Sequence, residues 1–261
     1  MNITYSSFVK SFPGLHRRRW QQSKECVSRR SIELFAETKK TLTKRTIIDL
    51  IKRPVGIILF GANMTNKGIQ TRRNIVEKSM RLFCLKGFYN TSIDDILKAT
   101  GLTKGGLYGH FSSKEDIWYA VYDEALRIWR EIVFKGIHSK SDPLQCIHIL
   151  TENDIKNKLG NDVFEGGCFF HRMLVEFSGQ SLAMSNHILK GFRQLSELLR
   201  NWLEQAHQQG LLKENLNFEE IANYIIIGLN GAAALYASSR NPAILDQTLN
   251  QLHYYIQQLK K

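Results

Sequence analysis

The sequence predicts an all-α protein: a three-helix unit of the helix-turn-helix kind over residues 64–116, followed by a larger helical body over 117–261. Three observations carry this. Residues 91–116, TSIDDILKATGLTKGGLYGHFSSKED, read as two short capped helices joined by a tight turn and locked to a third. Apolar residues then recur at three- and four-residue spacing in successive segments as far as Leu259. Charge is also unevenly placed: the formal total of +12 divides into +9 over residues 1–66, +6 over 67–114 and −3 over 115–261. A basic motif on a mildly acidic body is what attraction to a polyanion requires, because each Lys or Arg at a phosphate displaces counterions.

The elements follow in order. Residues 1–63 crowd Arg17, Arg18, Arg19, Arg29, Arg30, Lys39, Lys40, Lys44 and Arg45 with little helical periodicity. A first long helix begins at Thr71, with Ile75, Ser79, Leu82 and Phe83 on one face and Gly87 ending it. Ser92 and Asp95 have the spacing of a capping box, Ile93, Ile96 and Leu97 form an apolar face, and Gly101 supplies the left-handed stop. Thr103 caps the next helix, whose Leu107 and Phe111 point inward and leave Lys104, Tyr108 and His110 outward. Gly105 and Gly106 sit inside that short helix, where each costs about 1 kcal/mol against alanine. Close approach of a partner surface explains the missing Cβ atoms, and a phosphate-lined groove suits the flanking side chains; a frayed turn is the bland alternative.

Ser113 and Asp116 open, as a second capping box, a long helix through Ile117, Val121, Ala125, Ile128 and Ile132 to about residue 134. Trp118, Tyr122 and Trp129 lie along or near its buried side, as core or as ligand contacts. A helix over 143–158, a loop over 160–167 and a short helix opened by GGCFFHRMLVEFSG follow. Phe169, Phe170, Met173, Phe177 and Met184 there are candidate pocket lining and equally ordinary helical core. The next helix, 187–208, presents Ile188, Phe192, Leu195, Leu199 and Trp202. Asn217 and Glu220 cap IANYIIIGLNGAAALYAS, apolar around most of its circumference, and a last helix repeats Ile244, Leu245, Leu249, Leu252, Ile256 and Leu259 as a seam would.

Residues 71–121, with the Gly-Phe turn at 87–88, the TKGGLYGHF segment and the SKED that follows, resemble the DNA-binding domain of TetR-family (TetR/AcrR) transcription regulators. The resemblance implies an N-terminal three-helix helix-turn-helix DNA-binding domain plus a C-terminal helical ligand-binding and dimerisation domain. Carried over residue by residue, it assigns DNA contact to Thr91, Ser92, Thr103, Lys104, Gly105, Tyr108, His110 and Lys114. Gly109 stands where the family usually has a tyrosine or histidine, which removes one backbone contact. Tyr122, Phe169, Met173 and Phe177, from the reading of the residues, and Cys168, from the resemblance, are the expected ligand-binding set. The Gly-Cys step at 167–168 matches a feature that senses electrophiles or oxidants in some relatives; a helix N-terminus favours a thiolate, and a small buried residue without chemistry is the other reading. The partners implied are double-stranded DNA at a palindromic operator, a small-molecule inducer and a second copy of the chain, with the long helix from Ser113 as the transmission element between reader and sensor. Relatives begin near the place of Met64, so residues 1–63 read either as a disordered basic arm or as translation from upstream of the true start.

Other classes lack support. No H-E-x-x-H, Gly-rich phosphate loop or G-x-S-x-G elbow supports an enzyme, and no cofactor or metal is expected. The four cysteines, Cys26, Cys84, Cys146 and Cys168, lack C-x-x-C spacing and fit a reducing cytoplasm. The apolar run at 54–64 is shorter than the roughly 20 residues that cross a bilayer, so no membrane partner is expected.

Overall fold

The protein is described by a computed structural model over residues 65–138 and 142–261; the expectation for residues 1–63 lies outside the described residues. The first helix, α1, spans Asn66–Lys86, five residues earlier than periodicity alone suggests, because the Thr65 hydroxyl accepts from Gly68 N at 3.3 Å and caps it there. It ends at Gly87, whose φ of +89° few other residues adopt. α2 (Ile93–Thr100) carries the complete capping box: Asp95 N donates to Ser92 Oγ and Ser92 N donates to Asp95 Oδ2. Gly101, at φ +71°, closes it in the left-handed conformation. α3 (Lys104–Tyr108) is a single capped turn, with Gly106 N donating to Thr103 Oγ1.

α4 (Lys114–Val133) starts at Ser113, whose hydroxyl accepts from Asp116 N. The expected second box is only half formed. The Asp116 carboxylate accepts from the Ser112 hydroxyl instead of returning to the Ser113 amide. Ile75, Phe83, Phe88, Ile96, Leu107, Ile117 and Trp118, all nearly or fully buried, hold α1 to α4 around one core. Burying each large side chain stabilises by roughly 1.5–3 kcal/mol, far more than the roughly 1 kcal/mol of a cap, so packing rather than capping keeps α3 in place.

The body comprises α5 (Pro143–Glu152), a π-helical continuation over Asn153–Leu159, α6 (Phe169–Phe177), α7 (Leu182–Gln208), α8 (Phe218–Ser239) and α9 (Pro242–Gln258). Two expectations are corrected here. The helix read over 143–158 changes winding at Asn153, where the Asn153 amide donates to Val133 O and Lys135 O and ties the segment to the end of α4. The helix read over 187–208 begins at Leu182, since Ser181 Oγ accepts from Met184 N and caps it one turn sooner. α8 packs against α7 and α9 and also meets α6 and the π-helical segment. By length and composition it is the one helix among the described residues that could cross a membrane. Its apolar outer side includes Tyr224, Ile227 and Leu235, all exposed. An antiparallel bridge between Leu212 and Lys260 fastens the chain's last residues beside the end of α7.

Candidate nucleic-acid interface and pocket

α3 stands on the surface because its apolar side is one residue deep. Leu107 is fully buried and Phe111 nearly so, and Arg72 stacks 3.9 Å over the Phe111 ring while donating to His110 O at 2.8 Å. Thr103, Lys104, Gly105 and Tyr108 are thereby left exposed together, with Ser92 exposed at the start of α2 and His110 half-buried at the end of α3. A Cβ added at Gly105 would meet nothing within 4 Å. That glycine is therefore not required by the protein's own packing.

Two of the residues assigned to DNA are turned inward. Thr91 is fully buried, and its hydroxyl donates to Gly87 O at 2.6 Å, so the side chain completes the α1–α2 turn rather than a surface. The Lys114 ammonium donates to Phe88 O at 3.0 Å and Thr91 O at 2.9 Å and lies 4.3 Å over the Phe88 ring. Two of its donors and its ring contact serve the same turn, and burial pulls its pKa below the ordinary lysine value.

That turn is gripped from the other side as well. Glu176, at the end of α6, accepts from Phe88 N at 3.0 Å and Tyr89 N at 2.8 Å. A side chain at Gly87 would meet the Glu176 carboxylate at 2.8 Å. Phe177 sets its ring edge-on to Phe88, Tyr89 and Trp118 at 5.1–5.9 Å, and Arg172 donates to Leu85 O at 3.0 Å. One face of α6 thus holds the base of the reading unit.

The opposite end of α6 enters a pocket between α4, α7, α8 and the π-helical segment. Tyr122 and Cys168 of the expected ligand set line it. Phe169, Met173 and Phe177 do not: spaced four apart, they share the face of α6 turned into the core, and Phe170 is the residue of this run that reaches the pocket. Sequence reasoning also missed Asp154 and Lys158, which line the wall as a buried pair at 2.7 Å. Their i, i+4 spacing lies within the helix read over 143–158, but spacing alone does not tell a buried pair from a solvated one. Burial opposes the Lys158 charge, yet Asp154 and Cys168 outweigh it and hold its pKa above the usual value. Burial pushes the Tyr122 phenol up to about 12, so it stays a neutral wall. Trp129 donates to Asp154 Oδ1 at 2.9 Å and closes one side.

Residues 75–121 match the family described as bacterial regulatory proteins, tetR family, and residues 153–252 match the tetracyclin repressor-like C-terminal domain. The first match covers the helix-turn-helix just built and the second most of the pocket-bearing body. The chain belongs to the TetR family of transcriptional regulators. It is similar to the HTH-type transcriptional repressor DhaR of Mycobacterium sp. (strain GP1), 25% identical over 68% of this chain and 88% of that one. An HTH-type transcriptional regulator in the lacX 3′ region of Lactococcus lactis subsp. lactis is 28% identical over 70% of this chain and 91% of its own length. Among solved structures, a TetR transcriptional regulator from Chloroflexus aurantiacus J-10-FL superposes with a TM-score of 0.69 at 25% identity, over 75% of this chain and 98% of that one. This TetR-family chain is thus a DNA-binding regulator and not an enzyme.

Proposed function

We propose that the protein is a cytoplasmic, dimeric repressor that holds a palindromic operator and releases it when a small molecule, or an electrophile acting at Cys168, enters the body. In this reading residues 64–116 read DNA, while 117–261 bind the inducer and pair the subunits. The observation that carries it is the path from pocket to reader. α6 begins in the pocket wall at Cys168 and Phe170 and ends with Glu176 on the amides of the α1–α2 turn. An inducer that binds better to a displaced α6 must, by linkage, weaken operator binding. Lys104, Gly105 and Tyr108, with Thr103, Ser92 and His110 around them, form the DNA-contacting face. The exposed Tyr224, Ile227 and Leu235 of α8 and Tyr254 of α9 are the surface we assign to the second subunit, whose two-fold axis makes the operator palindromic. DNase footprinting on the intergenic region upstream of the protein's own gene tests the reading. A symmetric protected site lost in Lys104→Ala/Tyr108→Phe is the expected result; uniform, sequence-indifferent binding at moderate salt would overturn it.

A further inference from the structure

The pocket wall holds a polar site whose chemistry narrows the ligand, an inference that rests on this pocket being the regulatory one. Asp154 and Lys158 stand one turn apart on the π-helical segment, a winding that recurs at functional sites. Lys158 Nζ lies 2.7 Å from Asp154 Oδ1, 2.8 Å from Oδ2 and 3.8 Å from Cys168 Sγ, and the pair's side chains are each 5% exposed. Buried ion pairs seldom stabilise more than apolar residues of the same volume would, so a core built only for packing gains nothing from this one.

Three features decide what the site receives. An ammonium has three N–H donors; here two meet the Asp154 carboxylate oxygens and the third meets only the Cys168 sulfur, a weak acceptor that an oxygen entering the pocket displaces. Asp154 already cancels the charge, so an incoming anion would leave one net charge in apolar surroundings, and a cation would meet the ammonium. The rest of the wall is largely apolar, and its side-chain amide, Asn230, gives one N–H to Ile226 O at 2.9 Å. The geometry points to a neutral, apolar ligand with one carbonyl-type oxygen: the oxygen on Lys158, the body between Tyr122, Trp129, Phe170 and Phe192.

The cavity as it stands holds about 60 Å3, less than the roughly 150 Å3 of a closed apolar cavity that takes up benzene. An aromatic ligand seated wholly inside must part the walls. Phe192, half-buried in the lining, is a side chain that can give way, whereas Trp129 is held by its bond to Asp154.

The test uses the full chain and three probes of similar shape: acetophenone (neutral carbonyl), benzoate (anion) and ethylbenzene (no oxygen). Binding is read by calorimetry, and occupancy by the Trp129 indole N–H resonance, since that group donates to Asp154. Acetophenone should bind at least about tenfold more tightly than either of the others, the difference expected of one hydrogen bond to a charged donor, and should shift the Trp129 resonance. Asp154→Asn/Lys158→Met should erase its advantage over ethylbenzene. Equal binding of acetophenone and ethylbenzene to the wild type, tighter binding of benzoate, or no binding of any probe would each overturn the proposal. Operator binding is measured separately: its absence would sink the repressor reading while leaving the ligand preference standing.

Discussion

At the residue scale, the glycines and caps of the reading unit carry separable roles. Gly105→Ala should raise helix stability by about 1 kcal/mol, because the new methyl meets nothing in the free protein. A melting temperature raised by a few degrees together with weakened operator binding is the expected pair of results, and unchanged affinity would show that the backbone does not approach DNA there. Asp95 behaves differently. The Ser92 amide first, then Lys86 and the Ser92 hydroxyl, hold its carboxyl well below the usual range. A pKa lowered by folding contributes stability that is complete above the unfolded value of about 4 and is lost as pH falls through the folded value. Melting curves from about pH 6 down to about pH 2 should therefore show wild type losing a contribution that Asp95→Asn never had, so the two curves converge in acid. Among the cysteines, Cys84 is buried with its thiol pushed up to about 12 by that burial, whereas Cys168 lines the pocket. Peptide mapping after brief N-ethylmaleimide treatment should find Cys168 modified before Cys84; equal rates would remove the electrophile arm of the proposed function.

At the element scale, α6 is the informative helix. The long helix α4 joins the two parts covalently, as the sequence suggests, but the α1–α2 turn is also held by Glu176 on its amides and by Lys114 on its carbonyls. Glu176→Ala should cost about 1 kcal/mol in stability, since one of the two amides it leaves is part-buried and the other can turn to water, and should speed hydrogen exchange at Phe88 and Tyr89. Glu176→Gln retains one acceptor oxygen and should fall between. If both variants exchanged like wild type, the turn would be held by packing alone. The caps at Ser92, Thr103 and Asn217 were legible because a cap is a contact between residues three apart. The π-helical winding over Asn153–Leu159 was not, since it is held by Asn153 reaching the end of α4, some twenty residues away in sequence.

At the scale of the whole molecule, the basic reading unit and the apolar outer side of α8 face different demands. Ile227 is 67% exposed, so Ile227→Asp should leave the protomer folded while sedimentation shows it dissociated and operator affinity falls with it. A stable dimer in that variant would move the pairing surface elsewhere. The charge division of +9, +6 and −3 along the chain predicts that operator affinity falls steeply as salt rises.

What the sequence by itself determined is the local part: the all-α class, the three capped helices and the exposed Lys104–Gly105–Tyr108 edge. Each follows from contacts within one or two turns. Only the tertiary structure decided that Thr91 and Lys114 close a turn instead of facing outward, that Phe170 rather than Phe169, Met173 or Phe177 reaches the pocket, and that Asp154, Lys158 and Cys168 meet in its wall. Periodicity identifies an apolar face but not which neighbour it meets, and a polar side chain's role depends on partners that packing brings from distant parts of the chain.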